Sequence, residues 1–176
     1  MNLPLEINKA FDGMIDTLSS INDNEIDTIP FDNSWTAGQV AEHIIKSAGN
    51  IPQFFSENVE LIERPMGEKE DEIKEVFLDY SIKMESPDFI VPSSGKHNNN
   101  ELIDDLKKLK KEAVDAAEKM DLAWTCKSFE FPGWGFLTRY EWLVFIACHV
   151  QRHTHQLKNV KQALNEKLSH FNTSEK

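Results

Sequence analysis

Apolar residues recur along this chain at intervals of three and four, the spacing of a buried helical stripe. Ile7, Phe11, Met14, Leu18 and Ile21 gather on one side of a helix while Glu6, Asp12 and Asp16 fall elsewhere, which predicts a first helix over residues 4–21. The stretch "NDNEIDTIPFDNS" that follows is rich in Asn, Asp and Ser, and Pro30 disfavours helix just before it, so the chain crosses a loop. Thr36 and Gln39 then form a capping-box pattern that opens a second helix over 36–58. Its inward stripe reads Val40, His43 or Ile44, Ser47, Ile51 and Phe54 or Phe55, and Pro52, which lacks an N–H, kinks or interrupts it.

Residues 59–100 break the pattern. "RPMG" is a turn, "EKEDEIKEVFLDYSIKM" has room for one short helix, and "SPDFIVPSSGKHNNN" carries too much Pro, Gly and Asn for regular structure. Helical spacing returns with Leu102, Leu106, Leu109, Ala113, Ala116 or Ala117 and Met120, a third helix over 101–122. The Gly-Trp-Gly of "KSFEFPGWGFL" is a turn, lacking the strand, further glycine and helix of a dinucleotide fingerprint. Thr138 and Glu141 repeat the capping-box pattern and open a fourth helix over 138–166, with Trp142, Phe145 or Ile146, His149, His153 and Gln156 along one face. Four helices with apolar stripes and no marked strand signal predict an all-α four-helix bundle, one domain spanning 1–176.

Composition narrows the function. Acidic residues outnumber basic ones 30 to 19, a formal charge of −11 that repels phosphate backbones and anionic headgroups, so nucleic acid and membrane are not expected partners. The basic cluster "KKLKK" at 107–111 is interleaved with Asp104, Asp105, Glu112 and Asp115 at ion-pair spacing and reads as a solvated helix face. No secretory signal and no run approaching the roughly 20 apolar residues of a bilayer span is present, which predicts a cytoplasmic protein. Cys126 and Cys148 are expected to be free thiols there, and "NTS" at Asn172 has no consequence without export.

Three of the six histidines fall between Phe145 and Leu157. His149 and His153, four apart, lie one above the other about 6 Å along the helix axis and can aim at a common point, the spacing of a metal clamp. His43, in the stripe of the second helix, is the candidate third ligand. His155 faces roughly the opposite side; His97, in a loop, and His170, near an end, have no geometric claim. Val150 stands where a zinc protease of the HExxH type needs its glutamate, and Cys148 is rotated about 100° from His149, so it packs instead of ligating. Glu42 points away from its neighbour His43 and is not assigned as a base. For Gln156 an orienting contact to an imidazole and an interhelical hydrogen bond are equally open. Arg139 and Arg152 meet an anionic substrate or pair at the surface, and Trp35 and Trp142 wall the pocket or fill the core.

"SWTAGQVAEHI" at 34–44 and "LTRYEWLVFIACHVQRHTHQL" at 137–157 resemble the two histidine-bearing segments of the DinB-like superfamily, and "SPDFIVPSSG" is similar to its loop between the second and third helices. The resemblance implies an up-down-down-up bundle, often dimeric, in which His43, His149 and His153 hold a divalent metal ion, with zinc and nickel first among the candidates. It also implies a small-molecule substrate and, from the S-transferases of that superfamily, a low-molecular-weight thiol as cosubstrate. Two other readings stay open at this stage: a metal-dependent hydrolase of a small ester or amide, and a non-catalytic bundle whose histidines only tie helices together.

Overall fold

The computed structural model describes residues 2–173, the side chains of 168 and 170–173 apart; the His170 side chain and the Asn172 acceptor motif therefore lie outside what is described. The chain is predominantly helical: α1 (Leu3–Ser19), α2 (Ala37–Ala48), a single turn α3 (Ile51–Phe54), α4 (Glu70–Leu78), α5 (Asn99–Lys119) and α6 (Arg139–Thr173). Strands β1 (Val59–Leu61) and β2 (Trp124–Cys126) pair antiparallel, with Glu60 opposite Thr125. Among the described residues no helix is long and apolar enough to cross a membrane.

The four long helices α1, α2, α5 and α6 close a ring of contacts in which α1 and α2 each pack on both α5 and α6, while α4 lies along α6. The core is built from the stripes that the spacing selects, Ile7, Phe11, Met14 and Leu18 from α1, Val40 and Ile44 from α2, Leu106 and Ala113 from α5, Trp142, Phe145 and Ile146 from α6, and α6 adds Leu143 and Leu157, which that stripe does not include. Each residue of such a stripe moves a whole apolar side chain out of water, of order 1.5–3 kcal/mol, and this burial, more than intrinsic propensity, holds a helix of ordinary length.

Local caps fix where the helices begin. At α2, Thr36 Oγ1 accepts from Gln39 N at 3.2 Å and Gln39 Oε1 accepts from Thr36 N at 3.0 Å. At α6 the same reciprocal pair joins Thr138 and Glu141, at 3.1 and 2.9 Å. Glu141 is also gripped by Arg64, whose two guanidinium nitrogens each donate to one carboxylate oxygen at 2.6 Å. The capping residue thereby locks the 59–69 segment onto the start of α6.

The second helix is shorter than the predicted 36–58. It stops at Ala48, where Gly49 takes φ 57° and ψ −149° and its N–H bonds back to Ile45 O. Asn50 then caps α3 and Pro52 sits in its first turn, a position where the missing N–H costs nothing. So the break comes before the proline, at a glycine whose backbone leaves helical space. The third and fourth helices run Asn99–Lys119 and Arg139–Thr173 in place of 101–122 and 138–166. The paired strands are a further departure, because three residues per strand give no alternation for a sequence pattern to display. Residues 59–100, read as irregular apart from one short helix, hold β1, α4 and a 3₁₀ turn at Asp88–Ile90.

Candidate metal centre

Helix α2 delivers His43 and helix α6 delivers His149 and His153, and one ring nitrogen from each lies within 4.8 Å of the others. His149 Nε2 is 3.2 Å from His43 Nε2 and 3.0 Å from His153 Nε2. His43 and His149 are buried and His153 is half-buried.

The opposite nitrogen of each ring is already engaged, and that decides the tautomers. His43 Nδ1 lies 3.0 Å from Ile90 O, a pure acceptor, so Nδ1 carries the proton. His153 Nδ1 donates in the same way to Gln156 Oε1 at 2.7 Å. Ser47 Oγ spends its hydrogen on Ile44 O at 3.0 Å and accepts from His149 Nδ1 at 3.2 Å. With these assignments, read from the hydrogen-bond network, all three Nε2 atoms present lone pairs to one another with no proton between them. Three converging lone pairs repel. A cation placed among them turns the repulsion into bonds, and the observed separations suit one: bonds of about 2.0–2.1 Å to a tetrahedral ion put nitrogens about 3.3 Å apart.

The surroundings hold the rings neutral. Burial pushes the His149 pKa well below the ordinary value, and the neighbouring His153 and His43 push it the same way. Burial likewise lowers His153 to about 3 and lowers His43. Phe145 stacks on His149 with centroids 5.1 Å apart, Phe77 meets it edge-on at 5.7 Å, and Trp35 lies 5.0 Å from His43. No Asp or Glu belongs to the cluster among the described residues.

The triad lines a cavity of about 1240 Å³ bounded by α2, α3, α4, α6 and the loops around 84–90 and 129–134. The Gly-Trp-Gly turn has its purpose here. Gly133 and Gly135 take φ of 86° and 69°, the chain doubles back so that Phe131 N donates to Gly135 O at 2.8 Å, and Phe131 and Trp134 are thereby set in the cavity wall.

The remaining candidates resolve as follows. Gln156 takes the orienting contact to His153. Trp35 and Trp142 both line the cavity. Arg139 donates to Phe55 O and Asp121 O, and Arg152, which lines the cavity, donates to the carbonyls of Phe77, Asp79 and Ile82, so both guanidinium groups hold backbone. Cys148 and Cys126 are buried, and burial pushes their thiols up to about 11 and about 12, which makes them poor nucleophiles. His155 is exposed and stacks on Tyr80 with centroids 4.4 Å apart.

Two features escape sequence reasoning. One is the fastening of the 86–97 loop along a single face of α2, where residues 39, 42, 43 and 46 share a helical side. Gln39 Nε2 donates to Ser93 O, Glu42 accepts from Ser93 N and Oγ, His43 donates to Ile90 O, and Lys46 donates to Val91 O. The other is His97, clamped between Asp27 Oδ1 at 2.5 Å and Glu42 Oε2 at 3.0 Å. The carboxylate placed one residue before a candidate ligand was the available signal, but nothing local says what reaches it.

Residues 6–157 match the family model of the DinB superfamily, and the chain belongs to that superfamily. It is similar to the uncharacterized protein YuaE of Bacillus subtilis, 24% identical over 151 residues that cover 84% of this chain and 90% of that one. No solved structure gives a significant match.

Proposed function

We propose that His43, His149 and His153 hold a divalent metal ion and that the protein is a metal-dependent transferase using a small cellular thiol. The observation that carries this reading is the convergence of three unprotonated Nε2 atoms, each ring turned by a partner on its Nδ1, beside a large cavity. Zinc and nickel are the leading candidates among the ions that imidazole suits. When bound by three neutral ligands, such an ion has positions open to a substrate and lowers the pKa of a thiol or water there.

The chain's own residues do the rest. Ile90 O, Ser47 and Gln156 fix the ring orientations, a role whose loss typically costs 10–100-fold in metal affinity. Phe77, Phe145 and Trp35 exclude water from the imidazoles. Since both cysteine thiols are buried and raised, the nucleophilic sulfur comes from a cosubstrate. A purely structural tie between α2 and α6 has no use for the cavity at its side. A hydrolase of a small ester or amide would share the same ligands and would turn over without added thiol. The superfamily membership and the ring of helix contacts support an up-down-down-up four-helix bundle, and we propose that it acts on a small molecule as a cytoplasmic homodimer.

Calorimetric titration of chelator-treated protein with zinc tests the reading. One ion per chain is expected, and none in the His153→Ala variant; equal uptake by the variant would remove His153 from the site.

A further inference from the structure

The cavity is larger than the chemistry at the triad requires. Its volume of about 1240 Å³ exceeds the roughly 300–1,000 Å³ of pockets that enclose drug-sized ligands. Its walls are preformed: Phe131 packs on Phe145 and Trp134 with centroids 5.0 Å apart, Phe77 on Phe145 at 5.0 Å, and Trp142 on Phe54 at 5.0 Å. Only three of its lining residues carry formal charge. Lys83 and Glu85 are exposed, at the rim, and the guanidinium of Arg152 is taken up by backbone carbonyls. A cationic group entering this interior would lose its hydration without meeting an opposite charge, and an anionic group would meet only the guanidinium of Arg152, whose donors are already engaged by carbonyls.

The entrance carries the same character. Phe31, Tyr80, Met84 and Phe89 are 51, 44, 40 and 67% exposed and all belong to the cavity lining, so apolar surface is present at the mouth as well as on the walls. Such exposure is costly for a soluble chain unless it is used.

We infer that this chamber binds the uncharged aromatic body of a small molecule, stacked among Phe54, Phe131, Trp134 and Phe145, with its reactive end at the three histidines. The substrate of the transferase would then be a neutral aromatic molecule. Only the placement of the reactive end rests on the metal reading; the binding rests on the chamber.

Fluorescence titration with N-phenylnaphthylamine, an uncharged aromatic probe, tests this on the full chain, both chelator-treated and zinc-loaded. The expected result is one saturable site in both forms, with quenching of tryptophan emission because Trp35, Trp134 and Trp142 line the chamber. In the chelator-treated form the sulfonated anilinonaphthalene analogue should bind at least about tenfold more weakly. Phe131→Ala should weaken the neutral probe about tenfold, and half-buried Phe54→Ala serves if the first variant loses its helical circular dichroism. Leu61→Ala, an exposed residue outside the chamber, should change nothing. Absence of saturable binding, equal affinity for the sulfonate, or a loss caused by Leu61→Ala and not by the chamber variants would overturn the inference. Zinc uptake without probe binding would sink the chamber alone, and probe binding without zinc uptake the metal site alone.

Discussion

Two histidine sites meet helix α2 through adjacent residues, and their surroundings push the imidazole pKa values in opposite directions. His43 joins His149 and His153 among aromatic rings, while Glu42, the residue before it, joins His97 and Asp27. Burial lowers the pKa of all three triad rings, and among the described residues no carboxylate belongs to their cluster to offset it. Burial also pulls His97 down, but its bonds to Glu42 and Asp27 more than offset that and leave its pKa raised. Burial raises Glu42 in turn, yet the bonds from His97, Lys46 and Ser93 bring it to about 2. Residue type therefore sets only the possibility. Neighbours decide whether an imidazole's affinity for a proton falls or rises.

The largest expected effect strikes the triad side. Gln156→Ala removes the acceptor that fixes the His153 tautomer, and zinc affinity measured by calorimetry should fall about 10–100-fold. Gln156→Glu, which keeps an acceptor at that position, should restore most of it. An unchanged affinity in the alanine variant would mean that the ring is oriented by something else.

A smaller effect strikes the other side. A Cβ on Gly38 would lie 2.6 Å from His97 Cγ and Nδ1, so the ring sits where only glycine allows it. Gly38→Ala should push His97 out of its clamp and cost about 1–3 kcal/mol of stability by denaturant unfolding, the usual range for overpacking. A neutral outcome would show that the clamp is slack.

The subtlest contrast is the sign of the pH dependence in metal-free protein. The triad's lowered pKa values mean that the unfolded chain binds more protons, so this group costs stability as pH falls below about 6.5, the ordinary imidazole value. His97 does the reverse. Its contribution is complete below about 6.5 and is lost as pH rises through its elevated folded value. The melting temperature of His97→Gln should therefore fall below wild type most on the acid side and converge with it at alkaline pH. Histidine ring resonances should show His97 titrating above the ordinary value while the triad rings stay neutral to well below it. A triad that titrates near 6.5 would erase the comparison.

The residues that were legible in the sequence share one property: their relationships are local. His149 and His153 align because α6 repeats every 3.6 residues, and Thr36 with Gln39 and Thr138 with Glu141 cap because three residues bring side chain to backbone within one turn. Pro52 misled in detail, since the break at Gly49 depends on a backbone conformation that glycine permits and does not demand. His97 was passed over as a loop residue, because its partners lie 55 and 70 positions away.

What the sequence determined alone, then, is the order of the helices, the face that each one buries, and the line along which two imidazoles stack. Periodicity is a property of a single element and survives in the bare string of residues. The tertiary structure decided the rest: His43 meeting His149 across 106 positions, the partners that turn each Nε2 inward, the aromatic chamber beside them and the clamp on His97. These depend on how separate elements rotate and close on one another, and no spacing along the chain encodes that distance.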